Sequence, residues 1–148
     1  MKVLKNAVLL AVVCAASWPA AARGDQMLYP IRPALSAPAA QQKLDPDVKL
    51  FFGKQRHPSV AKTVGVFPSN RRASLLGRSA QQACEWSLLS AVMALQDRAK
   101  KEGGNAVVNI VSYYENIETN SATEFVCDAG GLRVGVALTG SVVSLTGR

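Results

Sequence analysis

The chain has 148 residues, of which 49% are hydrophobic and 18% charged, so it can bury one core of ordinary domain size but not two. This composition excludes an intrinsically disordered protein. Lysine and arginine outnumber aspartate and glutamate by 17 to 10, giving a formal net charge of +7. The basic residues are scattered along the chain, and the pattern therefore does not predict a nucleic-acid-binding protein.

Residues 1–22 have the pattern of a secretory signal peptide. Two lysines precede an unbroken apolar run over residues 7–16, and small residues lead up to Ala22. This order predicts cleavage between Ala22 and Arg23. The apolar run of about ten residues is well short of the roughly 20 that cross a bilayer, so we expect no transmembrane segment in the mature chain. The mature protein is expected to be exported, to the periplasm of a Gram-negative host.

Prolines are concentrated at the start of the mature chain. Four of the seven lie within residues 23–47, among alanine, glutamine and serine. This composition predicts an extended, Pro/Ala-rich N-terminal arm, with at most a short helix near residues 39–44. We therefore expect three parts: a signal peptide over residues 1–22, the arm over 23–47 and one domain over 48–148.

The domain begins with two strand patterns and a basic segment. Alternating apolar residues predict a short strand over 48–52. A second pattern over 59–67 is interrupted by a glycine. The next segment, residues 69–78, is predicted to be an exposed connection with a basic surface formed by Arg71, Arg72 and Arg78.

The clearest element is a helix predicted over residues 80–102. Ser79 and Gln82 have the spacing of a capping box, in which each side chain satisfies an otherwise unpaired backbone amide. Gly103 follows as a C-terminal cap. One buried stripe is predicted from the three- and four-residue spacing of Cys84, Leu88, Val92 and Leu95.

Three further strands are predicted after the helix, over residues 105–114, 123–128 and 132–145. The first is rich in valine, isoleucine and tyrosine without alternation, which is typical of a central strand. This order predicts an α+β fold, in which one long helix packs on a mostly antiparallel sheet of about five strands in a single two-layer domain.

Two cysteines, Cys84 and Cys127, remain after removal of the signal peptide. In an oxidising compartment an even count predicts a disulfide. A redox pair is the alternative, but catalytic dithiols are usually close in sequence at a helix start, whereas these are 43 residues apart. Zinc sites of four cysteines, or of two cysteines and two histidines, are excluded by count, because the mature chain has only two cysteines and one histidine, His57.

No catalytic constellation is recognisable, so we predict neither an enzyme nor a bound cofactor or metal. Glycine-rich segments lack the Lys-Ser/Thr pair of a phosphate-binding loop. Glu115, Glu118 and Glu124 lie in or beside one polar segment and could hold a cation, although a solvated loop explains them more simply. The prediction is a non-catalytic binding or interaction module of the envelope. Its partner would be an unknown envelope protein or an anionic envelope component.

The junction from Lys100 to Val108 resembles the helix-to-strand junction of two small families. These are the YbjQ-like proteins, described as heavy-metal-binding, and the stress-sensor lipoproteins of the Rcs phosphorelay. Nearly the whole mature chain is similar to short exported proteobacterial proteins of unknown function, some of which carry the label excinuclease ATPase subunit. This second likeness rests on Leu50–Gln55, on His57-Pro58, on Ala83–Trp86 and on Gly135–Leu138.

These resemblances imply an α+β core and an extracytoplasmic location. They also suggest two alternative functions. One is binding of a small ligand or a metal, as in the YbjQ-like proteins, and the other is the ATPase or DNA-repair role of the label.

Overall fold

The computed structural model describes residues 24–147, which form one seven-stranded sheet and three helices. In chain order the elements are β1 (Asp25–Pro30), α1 (Ile31–Ser36), α2 (Pro38–Gln41), β2 (Lys49–Phe52), β3 (Val60–Ser74), α3 (Ala80–Lys101), β4 (Ala106–Tyr114), β5 (Ile117–Thr119), β6 (Glu124–Gly130) and β7 (Arg133–Leu145). The predicted class, α+β with one long helix, is confirmed. The sheet has seven strands, roughly in line with the five or so predicted, and it is mostly antiparallel, with one parallel pair between β2 and β4.

The strand at the centre of the sheet is β7. On one edge it pairs with β3 along its whole length. Its other edge is divided, because residues 133–135 pair with β6 and residues 138–143 pair with β4. The sheet then extends from β6 to β1 and from β4 to β2 and β5.

A bulge in β4 accompanies this division. The register with β7 shifts between Val108 and Val111, and Asn109 in between has a φ of +48°. Asparagine tolerates this left-handed conformation better than other residues with a Cβ. Past the bulge, the Val126 backbone amide in β6 donates to the buried Ser112 hydroxyl at 2.9 Å. A side chain therefore joins β4 and β6 where both approach β7.

Helix α3 begins and packs as its sequence predicts. Ser79 and Gln82 form both hydrogen bonds of the capping box, and the four residues of the predicted stripe are at most 1% exposed. The stripe packs on β7, where Gly140 allows close approach. A Cβ at Gly140 would lie 2.5 Å from Val107 Cγ1 and 3.4 Å from Leu95 Cδ1.

The segment expected to be an extended arm, residues 23–47, instead contributes to the sheet and the core from residue 25 onward. Strand β1 pairs with all of β6 except its last residue, and α1 buries Ile31, Ala34 and Leu35. The prolines that suggested an extended chain occupy permitted places, since Pro33 lies in the first turn of α1 and Pro38 at the start of α2. First-turn amides have no partner within a helix, so proline costs nothing there.

Residues 69–78 were also predicted differently, as an exposed connection. Most of this segment belongs to β3, which runs on to Ser74. Two hydroxyls tie it to α3: Ser69 donates to the Ala91 carbonyl oxygen at 2.8 Å, and Ser87 donates to the Arg71 carbonyl oxygen at 2.7 Å. The sequence did not predict this part of the strand, because β3 is an edge strand whose side chains are largely exposed, and charged residues there break the apolar pattern of a buried strand.

The predicted disulfide between Cys84 and Cys127 is confirmed, with the two sulfurs bonded at 2.05 Å. Both residues are fully buried. The bond joins the first half of α3 to β6, which is paired to β7 through only three residue pairs. The covalent link therefore secures the side of the sheet that has the fewest hydrogen bonds to its centre.

No helix within residues 24–147 is long and apolar enough to cross a membrane. The predicted signal peptide and its cleavage site, Ala22 and Arg23, lie outside the residues that the structure describes.

We expect the double variant Cys84→Ala/Cys127→Ala to lose about 4 kcal/mol of unfolding free energy, because the bond closes a 43-residue loop and restricts the unfolded chain. Urea unfolding of the oxidised protein and of the variant measures the difference. The wild-type protein treated with a reductant after unfolding should match the variant. An oxidised wild type no more stable than the variant would show that the bond contributes nothing.

Candidate binding groove

A small groove lies between the two N-terminal helices and α3. It encloses about 120 Å³. Its apolar wall is formed by Ala34, Ala37, Ala39, Ala40 and Leu89, and its remaining lining by Gln82, Glu85 and Trp86. We call this site the Trp86 groove. Four alanines along one wall leave the space open, since none of them has a side chain beyond Cβ.

Trp86 is the largest side chain of the groove and is 40% exposed. Two cations lie beside its ring. The Lys43 ammonium is 5.8 Å and the Arg78 guanidinium 5.6 Å from the ring centroid. At these distances the quadrupole of the indole ring attracts both cations. The ring thus attracts two positive charges, and neither of these cations lines the groove itself.

The capping of α3 determines where Trp86 and Arg78 lie. Ser79 fixes the first residue of the helix, which places Trp86 in its second turn. Arg78 directly precedes the cap, and its backbone amide donates to the Leu75 carbonyl oxygen at 3.1 Å. Gln82 serves the cap and lines the groove as well.

A buried glutamine fixes the segment that follows Lys43. The Gln96 side chain accepts from the Asp45 amide and donates to the carbonyl oxygens of Asp45 and Val48 at 2.9–3.0 Å. Lys100 pairs with the Asp45 carboxylate at 2.7 Å. This hydrogen bond lowers the pKa of Asp45 below its usual value. The chain is therefore attached to α3 close to Lys43.

One acid lies among the groove residues. Glu85 lines the groove, and its carboxylate accepts from the Gln81 side-chain amide at 3.0 Å. Together with Lys43 and Arg78, it leaves the site with a formal charge of +1. The groove therefore combines a small apolar space with an edge where two cations outweigh one anion.

A separate polar cluster surrounds Asp128 on β6. The Tyr114 hydroxyl donates to Asp128 Oδ2 at 2.8 Å, and the Arg72 side chain lies over Gly135, which pairs with Asp128. The buried Asp128 Oδ1 has no hydrogen-bond partner among residues 24–147. A Cβ at Gly24 would lie only 2.5 Å from that oxygen, so the strand passes here only as glycine.

A wider cleft lies beside β2 on the face of the sheet away from α3. It encloses about 590 Å³ and is lined in part by Asp47, Lys49, Phe51 and Asn105. His57 packs its edge against Phe51 at 5.5 Å between ring centroids, and its Nδ1 lies 2.8 Å from the Pro58 carbonyl oxygen. Asn105 is already engaged with the backbone of Leu145 through both of its polar atoms. The cleft thus has few polar groups left to orient a ligand.

The three arginines of the predicted basic surface lie in different places. Arg71 and Arg72 are consecutive in β3 and project to opposite faces of the sheet, while Arg78 lies beside Trp86. The structure brings Arg78 together with Lys43, which the sequence did not group with it.

The predicted cation ligands are also separated. Glu115 lies in the turn before β5, whereas Glu118 belongs to β5 and Glu124 begins β6. Among residues 24–147, no three histidine, cysteine, aspartate or glutamate side chains converge as metal ligands do.

In the sequence, Trp86 stood out only as part of the Ala83–Trp86 segment that carries a resemblance, and nothing there indicated a site. The groove needs α1 and α2, and the residues that form them were predicted to be mostly extended. No local spacing indicates the groove, because Ala34 lies in α1, Ala40 lies in α2 and Ala37 lies between the two helices.

We expect Tyr114→Phe to lower the unfolding free energy by about 1 kcal/mol at neutral pH, because Asp128 loses a hydrogen-bond donor in a half-buried site. The bond to Asp128 raises the pKa of Tyr114 above its usual value. The stabilisation is therefore fully present below about pH 10, the ordinary tyrosine pKa, and is lost as pH rises through the higher pKa of the folded state.

Urea unfolding at pH 7 and above pH 10 tests this. Tyr113→Phe is the matched control, because the Tyr113 hydroxyl has no hydrogen-bond partner within the described part of the chain and its side chain is 40% exposed. A wild-type advantage over Tyr114→Phe that stays constant with pH would contradict the assignment.

Comparison with known proteins adds no relative. No family model matches the chain, and no curated protein matches it. Its function therefore has to be argued from the residues of the site.

Proposed function

We propose that the protein is exported and that its mature form, Arg23–Arg148, is a non-catalytic binding module of the cell envelope. The observation that carries the binding role is the Trp86 groove, where an exposed indole lies beside an apolar space and between charged side chains. Ligand sites in proteins are concave and are lined mainly by apolar and aromatic side chains with a few polar groups, and the lining of the Trp86 groove has this composition.

Three further observations support export. Residues 1–22 have the order of segments of a signal peptide. The buried disulfide is a bond that forms and persists in oxidising compartments. The resemblance to short exported proteobacterial proteins points to the same compartment.

A binding role also fits the arrangement of the titratable groups. The Tyr114–Asp128 pair lies on the β6 side of the sheet, and the raised pKa of Tyr114 makes this phenol a weaker acid than usual. His57 is exposed beside Phe51 and Pro58. General acid–base catalysis requires such groups within hydrogen-bond reach of one reacting atom, and these groups contact different neighbours.

Export is tested by expressing the full chain in a Gram-negative host and measuring the intact mass of the protein in the periplasmic fraction. We expect the mass of Arg23–Arg148 with its two cysteines oxidised. A variant with Ala20 and Ala22 both changed to Arg is the control, because a signal peptidase needs small residues before the cleavage site. Recovery of the full-length chain in the cytoplasm would contradict the proposal.

The binding role is tested by tryptophan fluorescence, because the mature chain contains a single tryptophan, Trp86. We expect 1-hexanol to change its emission saturably. The variant Ala39→Leu should abolish this response, because Ala39 is exposed at the groove and a leucine there fills the space. Ala61→Leu, at an exposed position of β3, is the matched control. Equal responses in both variants would place the binding elsewhere.

A further inference from the structure

We propose that the ligand of the Trp86 groove is an anionic amphiphile, with a short apolar segment in the groove and its anionic head beside Lys43 and Arg78. This inference rests on the proposed binding role and names the class of ligand for the same site. It commits to individual amphiphile molecules as the occupant. Attraction of the whole protein to an anionic bilayer is a different event, which the experiment separates.

The size of the groove limits the apolar part of the ligand. The enclosed volume of about 120 Å³ is close to that of an engineered protein cavity, about 150 Å³, that binds benzene. A few methylene groups or one aryl ring therefore fit. The groove is open to solvent, so the remainder of a longer ligand lies outside this volume.

The lining favours the same kind of group. Alanine methyl groups and Leu89 form one side, and Trp86 supplies the face of its indole ring. Removal of methylene groups from water is favourable in proportion to the apolar area buried. The contact is non-directional, so it contributes affinity without selecting a particular apolar group.

The charges at the edge select the head group. Lys43 and Arg78 both lie within 6 Å of the Trp86 ring centroid, so a head group next to the indole comes close to two cations. A guanidinium also offers parallel donors that match a phosphate or carboxylate. The groove contacts the apolar segment, and these two residues contact the anion.

The negative charge of Glu85 provides a test of the proposed preference for an anionic head group. Its carboxylate lines the groove and repels an anionic head, while Lys43 and Arg78 attract it. Removing the charge of Glu85 is therefore expected to strengthen binding, and removing either cation is expected to weaken it. A purely apolar site would respond to none of these changes.

The experiment compares four probes by calorimetry and by Trp86 emission: hexyl phosphate, 1-hexanol, hexyltrimethylammonium and inorganic phosphate. 1-Hexanol has the same chain without the charge, and hexyltrimethylammonium has the same chain with a positive head group. Inorganic phosphate has the head group without the chain. We expect hexyl phosphate to bind at least fivefold more tightly than 1-hexanol. Inorganic phosphate and the cationic probe should bind more weakly than 1-hexanol, because each lacks one of the two contacts or carries the wrong charge.

Variants then assign the effect to residues. Lys43→Gln and Arg78→Gln should each weaken hexyl phosphate binding roughly fivefold, the size expected of an exposed ion pair, and Glu85→Gln should strengthen it by a similar factor. Lys62→Gln, at an exposed position of β3, is the control with the same loss of charge. Unfolding midpoints establish that each variant is folded.

The outcomes separate the two proposals. If hexyl phosphate and 1-hexanol bind equally and Ala39→Leu abolishes both, the groove binds apolar groups and the ligand class is wrong. If no probe binds the wild-type protein, the proposed binding role itself fails. If the protein binds vesicles containing anionic phospholipid and Ala39→Leu weakens neither vesicle binding nor hexyl phosphate binding, the attraction is a surface effect and the inference is overturned.

Discussion

The backbone hydrogen bonds of β7 are the interaction on which the rest of the structure depends. A strand has two edges, and β7 gives one of them wholly to β3 and divides the other between β6 and β4. Two strands cannot occupy the same stretch of an edge, so each must diverge from the other. The bulge at Asn109 and the side-chain bond from Ser112 to β6 are the local consequences.

The divided sheet explains why α3 is attached at several points. The stripe of α3 packs on β7, while the disulfide ties the helix to β6 and the Ser69 and Ser87 hydroxyls tie it to β3. Gln96 adds the segment before β2. The strand β6, the edge strand β3 and the segment before β2 are thus each bonded to α3 in addition to their contacts within the sheet. The apolar width of α3 that the sheet does not cover is left for α1 and α2, and the Trp86 groove lies where they cover it incompletely.

The sequence predicted the elements whose signals are local. The capping box at Ser79 and the spacing of the stripe predicted α3 to within one residue at its C-terminal end, and the disulfide was predicted from the two cysteines that remain after the expected signal peptide together with the expected oxidising compartment. Strand β3 was predicted only in part, because an edge strand buries few side chains and lacks clear alternation after residue 67. The role of β1 was missed because pairing with β6 is a long-range contact, and no local pattern records it.

The groove was harder to predict for the same reason. Lys43 is distant in sequence from Arg78 and Trp86, and its position beside them depends on the contacts that Gln96 and Lys100 make with the segment after α2. Arg78 was singled out for its charge, but it was grouped with Arg71 and Arg72 because they are near in sequence. Alternation in β3 sends those two arginines to opposite faces, so closeness along the chain was the wrong guide to closeness in space.

The position of β7 in the chain has a consequence for how the protein acquires its structure. The central strand is the last of the seven in sequence, and β3, with which it pairs along its whole length, precedes it by about 60 residues. Contacts of such separation form slowly, because the loop between them must first be closed. A growing chain therefore has no sheet centre until β7 has been synthesised.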